Sequence, residues 1–175
     1  MTSHDAPAGG RTAAAITVSD RSSDGRREDT SGRLLVEALR AHGYAVEAPV
    51  VVPDGVDSVA GALREAVSAR HRLVVTTGGT GMGPRDLTPE GTRRVITREN
   101  PGLAELLRRE GARHTPYAAA SRGVVGVVDW PADQGVGGSL VINLPGMPSA
   151  VQEGMDVIGP LLGHLIDQVA GGDHS

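Results

Sequence analysis

The sequence contains no lysine, no cysteine and no phenylalanine, and aromatic residues make up only 2% of its 175 positions. Without lysine there is no Walker A ammonium group to reach a nucleotide phosphate and no Schiff-base nucleophile. Without cysteine there is no disulfide frame, no thiolate zinc site and no thiol nucleophile. Few aromatics leave little for bases to stack on, and a net charge of -4 has the wrong sign for neutralising a polyphosphate backbone, so no nucleic-acid partner is expected. The six histidines include no pair at ligand spacing on one helix face, which argues against zinc. No segment approaches membrane-spanning length. Residues 1–10 lack the basic start and apolar run of a signal peptide, so the expected location is cytoplasmic, with no membrane partner.

What is present is a hydrophobic fraction of 39% drawn from Ala, Val, Leu and Ile, enough for one compact core. Apolar runs alternate with helical spacing, as in a sheet whose strands are joined by crossover helices. Strands are expected at Ala13 to Val18, Tyr44 to Val52, Leu73 to Thr77 and Leu140 to Asn143. Helical spacing runs through Leu34, Leu35, Ala38 and Leu39, closed by Gly43, and through Val56, Val59, Ala60, Leu63 and Val67. Thr88-Pro89-Glu90 has the order of a helix start, with Thr88 as N-cap and the helix continuing to about Arg98. Another helix restarts at Asn100-Pro101. Tyr117 to Val128 is small and β-leaning, and Asp129 to Gly138, which holds the single tryptophan, suits the tip of a hairpin. Ser149 to Val169 reads as two helices or one kinked helix, because Gly159-Pro160 interrupts it. The expected architecture is a three-layer α/β/α fold around a mainly parallel sheet with one antiparallel hairpin. A single domain at 12–170 would lie between short tails at 1–11 and 171–175.

Three loops follow the C-terminal ends of expected inner strands: Ser19-Asp20-Arg21, the turn from Gly78 to Asp86, and Leu144 to Pro148. Ligands of open α/β sheets bind at that edge. In the turn, successive glycine N–H groups can form an anion-holding concavity. Arg85 can fork a phosphate oxygen, and Asp86 can hold Mg²⁺ through an oxygen. The glycines do not follow dinucleotide-binding spacing and, alone, read as a tight strand-to-helix connection. The adjacent Arg-Asp pair and helix start tip the balance toward a phosphate site. Asp54, after Val52-Pro53, reads either as an N-cap or as a functional acid. Arg93, Arg94, Arg98, Arg108, Arg109 and Arg113 form a basic stretch that either attracts an anion or is the solvated side of two helices.

In order along the chain, Thr17-Val18-Ser19-Asp20, Asp29-Thr30-Ser31-Gly32, Val52-Pro53-Asp54, Thr77-Gly78-Gly79-Thr80-Gly81, Pro84-Arg85-Asp86-Leu87-Thr88-Pro89-Glu90, Ser121-Arg122 and Ile142-Asn143-Leu144-Pro145-Gly146-Met147-Pro148-Ser149-Ala150-Val151 resemble the molybdopterin-binding family, specifically its stand-alone adenylyltransferases. The resemblance runs from about Ala13 to Val169, and its Gly78 to Glu90 block is the most specific part. It implies AMP transfer from ATP to the terminal phosphate of molybdopterin with release of pyrophosphate, Mg²⁺ being present. It implies Asp54 and Asp86 as the catalytic, Mg²⁺-positioning acids. Gly78, Gly79, Thr80, Gly81 and Arg85 would serve the phosphates, with Ser19 and Asp20 beside them, and Asn143, Pro145 and Gly146 the adenylate. Ser31, Ser121 and Arg122 fall on the pterin side, although Ser31 reads equally as a helix cap and Arg122 as a solvated charge. The family also implies a homotrimer and a molybdenum-inserting protein downstream. The alternative is a non-catalytic molybdopterin carrier or scaffold. Molybdenum insertion resembles longer multidomain chains, for which one domain leaves no room. Two features depart from the family pattern: a longer span from Val128 to Ser139, and Ala118-Ala119-Ala120 where bulkier residues are common.

Overall fold

The computed structural model describes residues 11–172. The stretches at 1–10 and 173–175, expected as tails, lie outside the described residues. Six strands, β1 (Ala13–Val18), β2 (Val50–Val52), β3 (Leu73–Thr77), β4 (Arg98–Glu99), β5 (Val125–Asp129) and β6 (Gly138–Leu144), form one sheet in the order β2-β1-β3-β6-β5-β4. The first four of that order run parallel, and β5 turns back antiparallel to both β6 and β4. The helices are α1 (Asp20–Ser23), α2 (Thr30–Ala41), α3 (Val56–Ser68), α4 (Thr88–Arg93), α5 (Pro101–Gly111) and α6 (Pro148–Val169). The mainly parallel sheet and the β5–β6 hairpin match the sequence-based expectation.

Side-chain alternation along the inner strands sorts the core into two faces. Ala13, Ala15, Leu73, Val75, Leu140 and Ile142 pack with Leu35 and Leu39 of α2 and Met155, Ile158 and Leu162 of α6. Ile16, Val18, Val74 and Val141 pack with Val59, Ala62 and Leu63 of α3 on the other face. Sealing both faces explains why the inner strands are continuously apolar. Leu35, Leu39 and Leu63 are fully buried, each contributing about 2 kcal/mol of transfer free energy.

Several boundaries differ from expectation for identifiable reasons. The strand expected from Tyr44 is reduced to an isolated bridge between Ala45 and Thr12, followed by Val50–Val52. Between them lies Pro49, which has no N–H to give a ladder. Thr88 does not cap α4; the N-cap is Leu87, and the Thr88 hydroxyl donates to the Gly78 carbonyl at 2.9 Å. That helix ends at Arg93, and Arg98–Glu99 pairs as a strand with β5. Asn100 does cap α5, its side-chain oxygen accepting from the Leu103 N–H at 3.1 Å. Part of the β-leaning stretch after Tyr117 belongs to a 3-10 turn at Pro116–Ala120. Residues 148–169 form one continuous helix despite Pro160. Its Gly159 marks where His42, at the end of α2, approaches: a Cβ there would lie 2.1 Å from the imidazole. No helix among the described residues is long and apolar enough to cross a membrane.

Candidate active site

The parallel register puts the ends of β1, β3 and β6 side by side, so their three loops meet at one edge of the sheet. There they border a cavity of about 710 Å³. The glycine turn between β3 and α4 forms its floor. Gly78 and Gly79 have φ of 99° and 65°, a region that only glycine occupies without strain. A Cβ on Gly78 would also lie 2.2 Å from the Val18 carbonyl oxygen. The Gly78 N–H is held by the Leu144 carbonyl at 3.0 Å, tying β6 to the turn.

Two carboxylates flank this turn. A Cβ on Gly79 would sit 3.1 Å from Asp54 Oδ1, and one on Gly81 would sit 2.8 Å from Asp86 Oδ2. Asp86 Oδ2 accepts from the Gly83 N–H at 2.9 Å, and the Asp86 N–H returns to the Gly83 carbonyl at 3.0 Å. Asp54 and Asp20 exchange backbone hydrogen bonds: the Asp20 N–H donates to Asp54 Oδ2 at 2.9 Å, and the Asp54 N–H to Asp20 Oδ1 at 3.0 Å. Asp54 does not cap a helix, since the N-cap of α3 is Gly55, without a side-chain bond.

These contacts push the two acids in opposite directions. Burial raises the Asp54 carboxyl above its ordinary value, and the Asp20 and Asp86 charges add to that, against the Asp20 N–H and the Arg85 charge. Asp20 is lowered, chiefly by its hydrogen bond with Arg85. Arg85 donates from Nε and Nη2 to the Asp20 carboxylate at 3.0 and 2.9 Å, and from Nη2 to the Asp54 carbonyl at 2.9 Å. The Nε–Nη2 edge of its fork is thus spent on the protein.

Arg122 is similarly engaged. Its N–H donates to the Thr80 carbonyl at 2.8 Å, Nε to the Gly81 carbonyl at 2.9 Å, and Nη2 to the Asp86 carbonyl at 2.5 Å. Its Nη1 meets Glu90 at 2.5 Å, which lowers the Glu90 carboxyl. One guanidinium therefore pins both ends of the turn segment that carries Asp86. Asn143 is buried and gives both amide hydrogens to the hydroxyls of Thr76 and Thr92 at 3.0 Å, while its oxygen accepts from the Val124 N–H at 3.0 Å. Ser31 donates to the Gly146 carbonyl at 2.7 Å and Thr77 to the Pro145 carbonyl at 2.8 Å. Ser31 does not cap α2. That role belongs to Asp29, which accepts from the Gly32 N–H at 2.9 Å and from the Thr17 hydroxyl at 2.8 Å.

Residues 14–164 match the family model described as a probable molybdopterin binding domain. The chain belongs to that molybdopterin-binding family. Among curated relatives it is 36% identical over 154 residues to the molybdenum cofactor synthesis protein cinnamon of Drosophila melanogaster, covering 86% of this chain and 24% of that protein. It spans about half of the next curated relatives, 49% and 48% of their length. With the molybdopterin adenylyltransferase of Helicobacter pylori strain J99 it shares 33% identity over 162 residues, covering 89% of this chain and 86% of that one. Among solved structures, the molybdopterin biosynthesis Mog protein from Mycobacterium ulcerans superposes with a TM-score of 0.82 at 40% identity, covering 92% of this chain and all of that one.

In this molybdopterin-binding domain the cavity is lined by Ser19, Asp20, Ser31, Asp54, Gly78, Gly79, Thr80, Gly81, Asp86, Ser121, Asn143, Pro145 and Gly146. Of the catalytic, phosphate, adenylate and pterin-side residues expected from sequence, only Arg85 and Arg122 stand behind that lining, bonded to Asp20 and to the turn. Arg21, Arg27 and Arg108 do line it and were not singled out as site residues. Neither Arg21 nor Arg27 forms an ion pair among the described residues. Their position two to eight residues beyond Ser19, in the segment that leaves the C-terminal end of β1, was the available signal. Among the described residues no group of three or more His, Cys, Asp or Glu side chains could hold a metal alone. Asp54 and Asp86 each bond the backbone through Oδ2 and leave Oδ1 without a hydrogen bond among the described residues, an oxygen of the hard-donor kind that Mg²⁺ takes.

Proposed function

We propose that this domain is a molybdopterin adenylyltransferase of molybdenum cofactor biosynthesis. The observation that carries it is the placement of Asp54 beside Gly79 and of Asp86 beside Gly81, all four lining one cavity of about 710 Å³. A terminal phosphate oxygen of molybdopterin would attack the α-phosphorus of ATP, forming a new P–O–P linkage. The bond from that phosphorus to the β-phosphate oxygen would break, and pyrophosphate would leave. The nucleophile is already an anion, so no general base is needed and alignment dominates.

Gly78 to Gly81 would offer N–H groups to the phosphates, and Pro145 and Gly146 would border the adenylate. Asn143 would act by position, because its side chain is already committed to Thr76, Thr92 and Val124. Arg85 and Arg122 would likewise set the acids rather than grip substrate. Two bare carboxylates repel phosphates, so Asp54 and Asp86 would hold Mg²⁺, which offsets that charge when bound. The family resemblance further supports a homotrimer working in the cytoplasm and passing its product to a molybdenum-inserting protein.

Incubation with Mg²⁺, ATP and molybdopterin, following adenylylated product and pyrophosphate, tests this directly. The expected outcome is product in equal amount to pyrophosphate, and none when Mg²⁺ is chelated. Tight molybdopterin binding with no product would establish the carrier instead.

A further inference from the structure

The fold treats one arginine of the basic stretch differently from the rest. Arg93 pairs with Glu99, Arg94 with Asp57, Arg98 with Asp129, and Arg109 and Arg113 with Glu110. Arg108, on α5 between them, forms no ion pair among the described residues. It is partly buried and lines the cavity. Its Nη1 donates to the Gly123 carbonyl at 3.1 Å and to the Ser121 carbonyl at 3.5 Å. Its Nε and Nη2 have no partner among the described residues. A single peptide unit links it to the glycine turn: the Ser121 carbonyl accepts from Arg108 while the Arg122 N–H of the same unit donates to Thr80.

A half-buried guanidinium with no carboxylate partner keeps its full charge and its free donors for an anion that enters the cavity. A Mg²⁺ held by Asp54 and Asp86 would answer those two carboxylates but supplies no fixed cation beside Ser121, and Arg85 and Arg122 are already neutralised by Asp20 and Glu90. Arg21, on α1, and Arg27, in the loop that follows it, are both exposed, whereas Arg108 is partly buried and bonds the Ser121 carbonyl. The unused edge formed by Nε–H and Nη2–H suits two oxygens of one phosphate, leaving the third free.

We propose that Arg108 is the anchor for the phosphate monoester of the acceptor substrate, holding two of its oxygens while the third faces the glycine turn. The identity of that substrate rests on the adenylyltransferase reading; the binding itself does not require turnover.

Calorimetric titration of the whole chain with molybdopterin, with its dephosphorylated form and with ATP tests this for wild type, Arg108→Met and Arg108→Lys. Arg108→Met is expected to weaken phosphorylated molybdopterin by roughly 10- to 100-fold, leaving dephosphorylated molybdopterin and ATP unchanged. Arg108→Lys should fall between, as a point charge without the fork. Equal losses for both pterins, or a matching loss for ATP, would make Arg108 a mere brace of the Ser121–Gly123 segment and overturn the proposal. Molybdopterin alkylated on both sulfurs distinguishes the other anion on the same molecule. If Arg108→Met erases only the preference for free over alkylated sulfur, the group held is the dithiolate and the proposal fails. An inactive wild type would sink adenylyl transfer and leave this titration interpretable.

Discussion

At the edge of the sheet where β1, β3 and β6 end, directional hydrogen bonds from buried or half-buried side chains fix the loops; at the opposite edge, cation–π contacts on one indole are added to the hydrogen bonds. Asn143, Ser31, Thr77, Thr88 and Arg122 each bond a specific backbone or hydroxyl group around the cavity. Below, the Trp130 ring meets both Arg70 and Arg72, with guanidinium carbons 4.5 and 5.0 Å from its ring centroid. Its indole N–H reaches Ser139 at 3.2 Å, and Ser139 in turn reaches the His71 carbonyl. Arg70 adopts φ of 65°, and Val136 at the loop tip is 84% exposed. Hydrogen bonds fail steeply with angle, whereas stacking tolerates sliding. The upper edge is therefore built to hold atoms in place, and the lower edge to close a hairpin.

Substitutions at the two edges should separate these roles. The largest effect on stability is expected from Asn143→Ala, which strips the Val124 N–H of its acceptor and the Thr76 and Thr92 hydroxyls of their donor in a buried site. A cost of about 3 kcal/mol, read as a Tm fall of roughly 10 °C, should accompany loss of product formation. A small Tm change with normal turnover would mean the network is dispensable. A lesser effect is expected from Trp130→Ala, about 1–2 kcal/mol from lost stacking and burial, seen as a few degrees in Tm. Turnover should be unchanged; a fall in kcat would show that the two edges are coupled.

Legibility from sequence divides along the same line as the two kinds of interaction. β1 and β3 coincide with their apolar runs, because local periodicity reflects burial on a sheet. The glycine turn and the convergence of three loops were visible because a parallel sheet puts successive strand ends at one edge. The partners of the charges were not visible. Arg85 meets Asp20 across 65 positions and Arg122 meets the Asp86 carbonyl across 36, and no local pattern encodes such pairings. Arg108 was concealed for the same reason: it looks like its basic neighbours until each of them finds an acid. Thr88 had the sequence of a cap, but tertiary contact with Gly78 took its hydroxyl.

The central claim is that Asp54 is positioned for chemistry and not for the fold, and its titration gives that claim a sign. Its carboxyl is raised in the folded protein, so protonated Asp54 favours the fold below its unfolded value, and that contribution is lost as pH rises through its folded value. At neutral pH the ionised side chain is therefore a liability that Asn lacks. The most direct measurement compares wild type and Asp54→Asn at neutral pH and again under acid conditions, recording Tm and adenylylated molybdopterin on the same samples. The predicted result at neutral pH is a Tm equal to or above that of wild type with product formation down on the order of 10²- to 10³-fold, the Tm advantage shrinking on acidification. A variant with a lowered Tm and unimpaired product formation would contradict it.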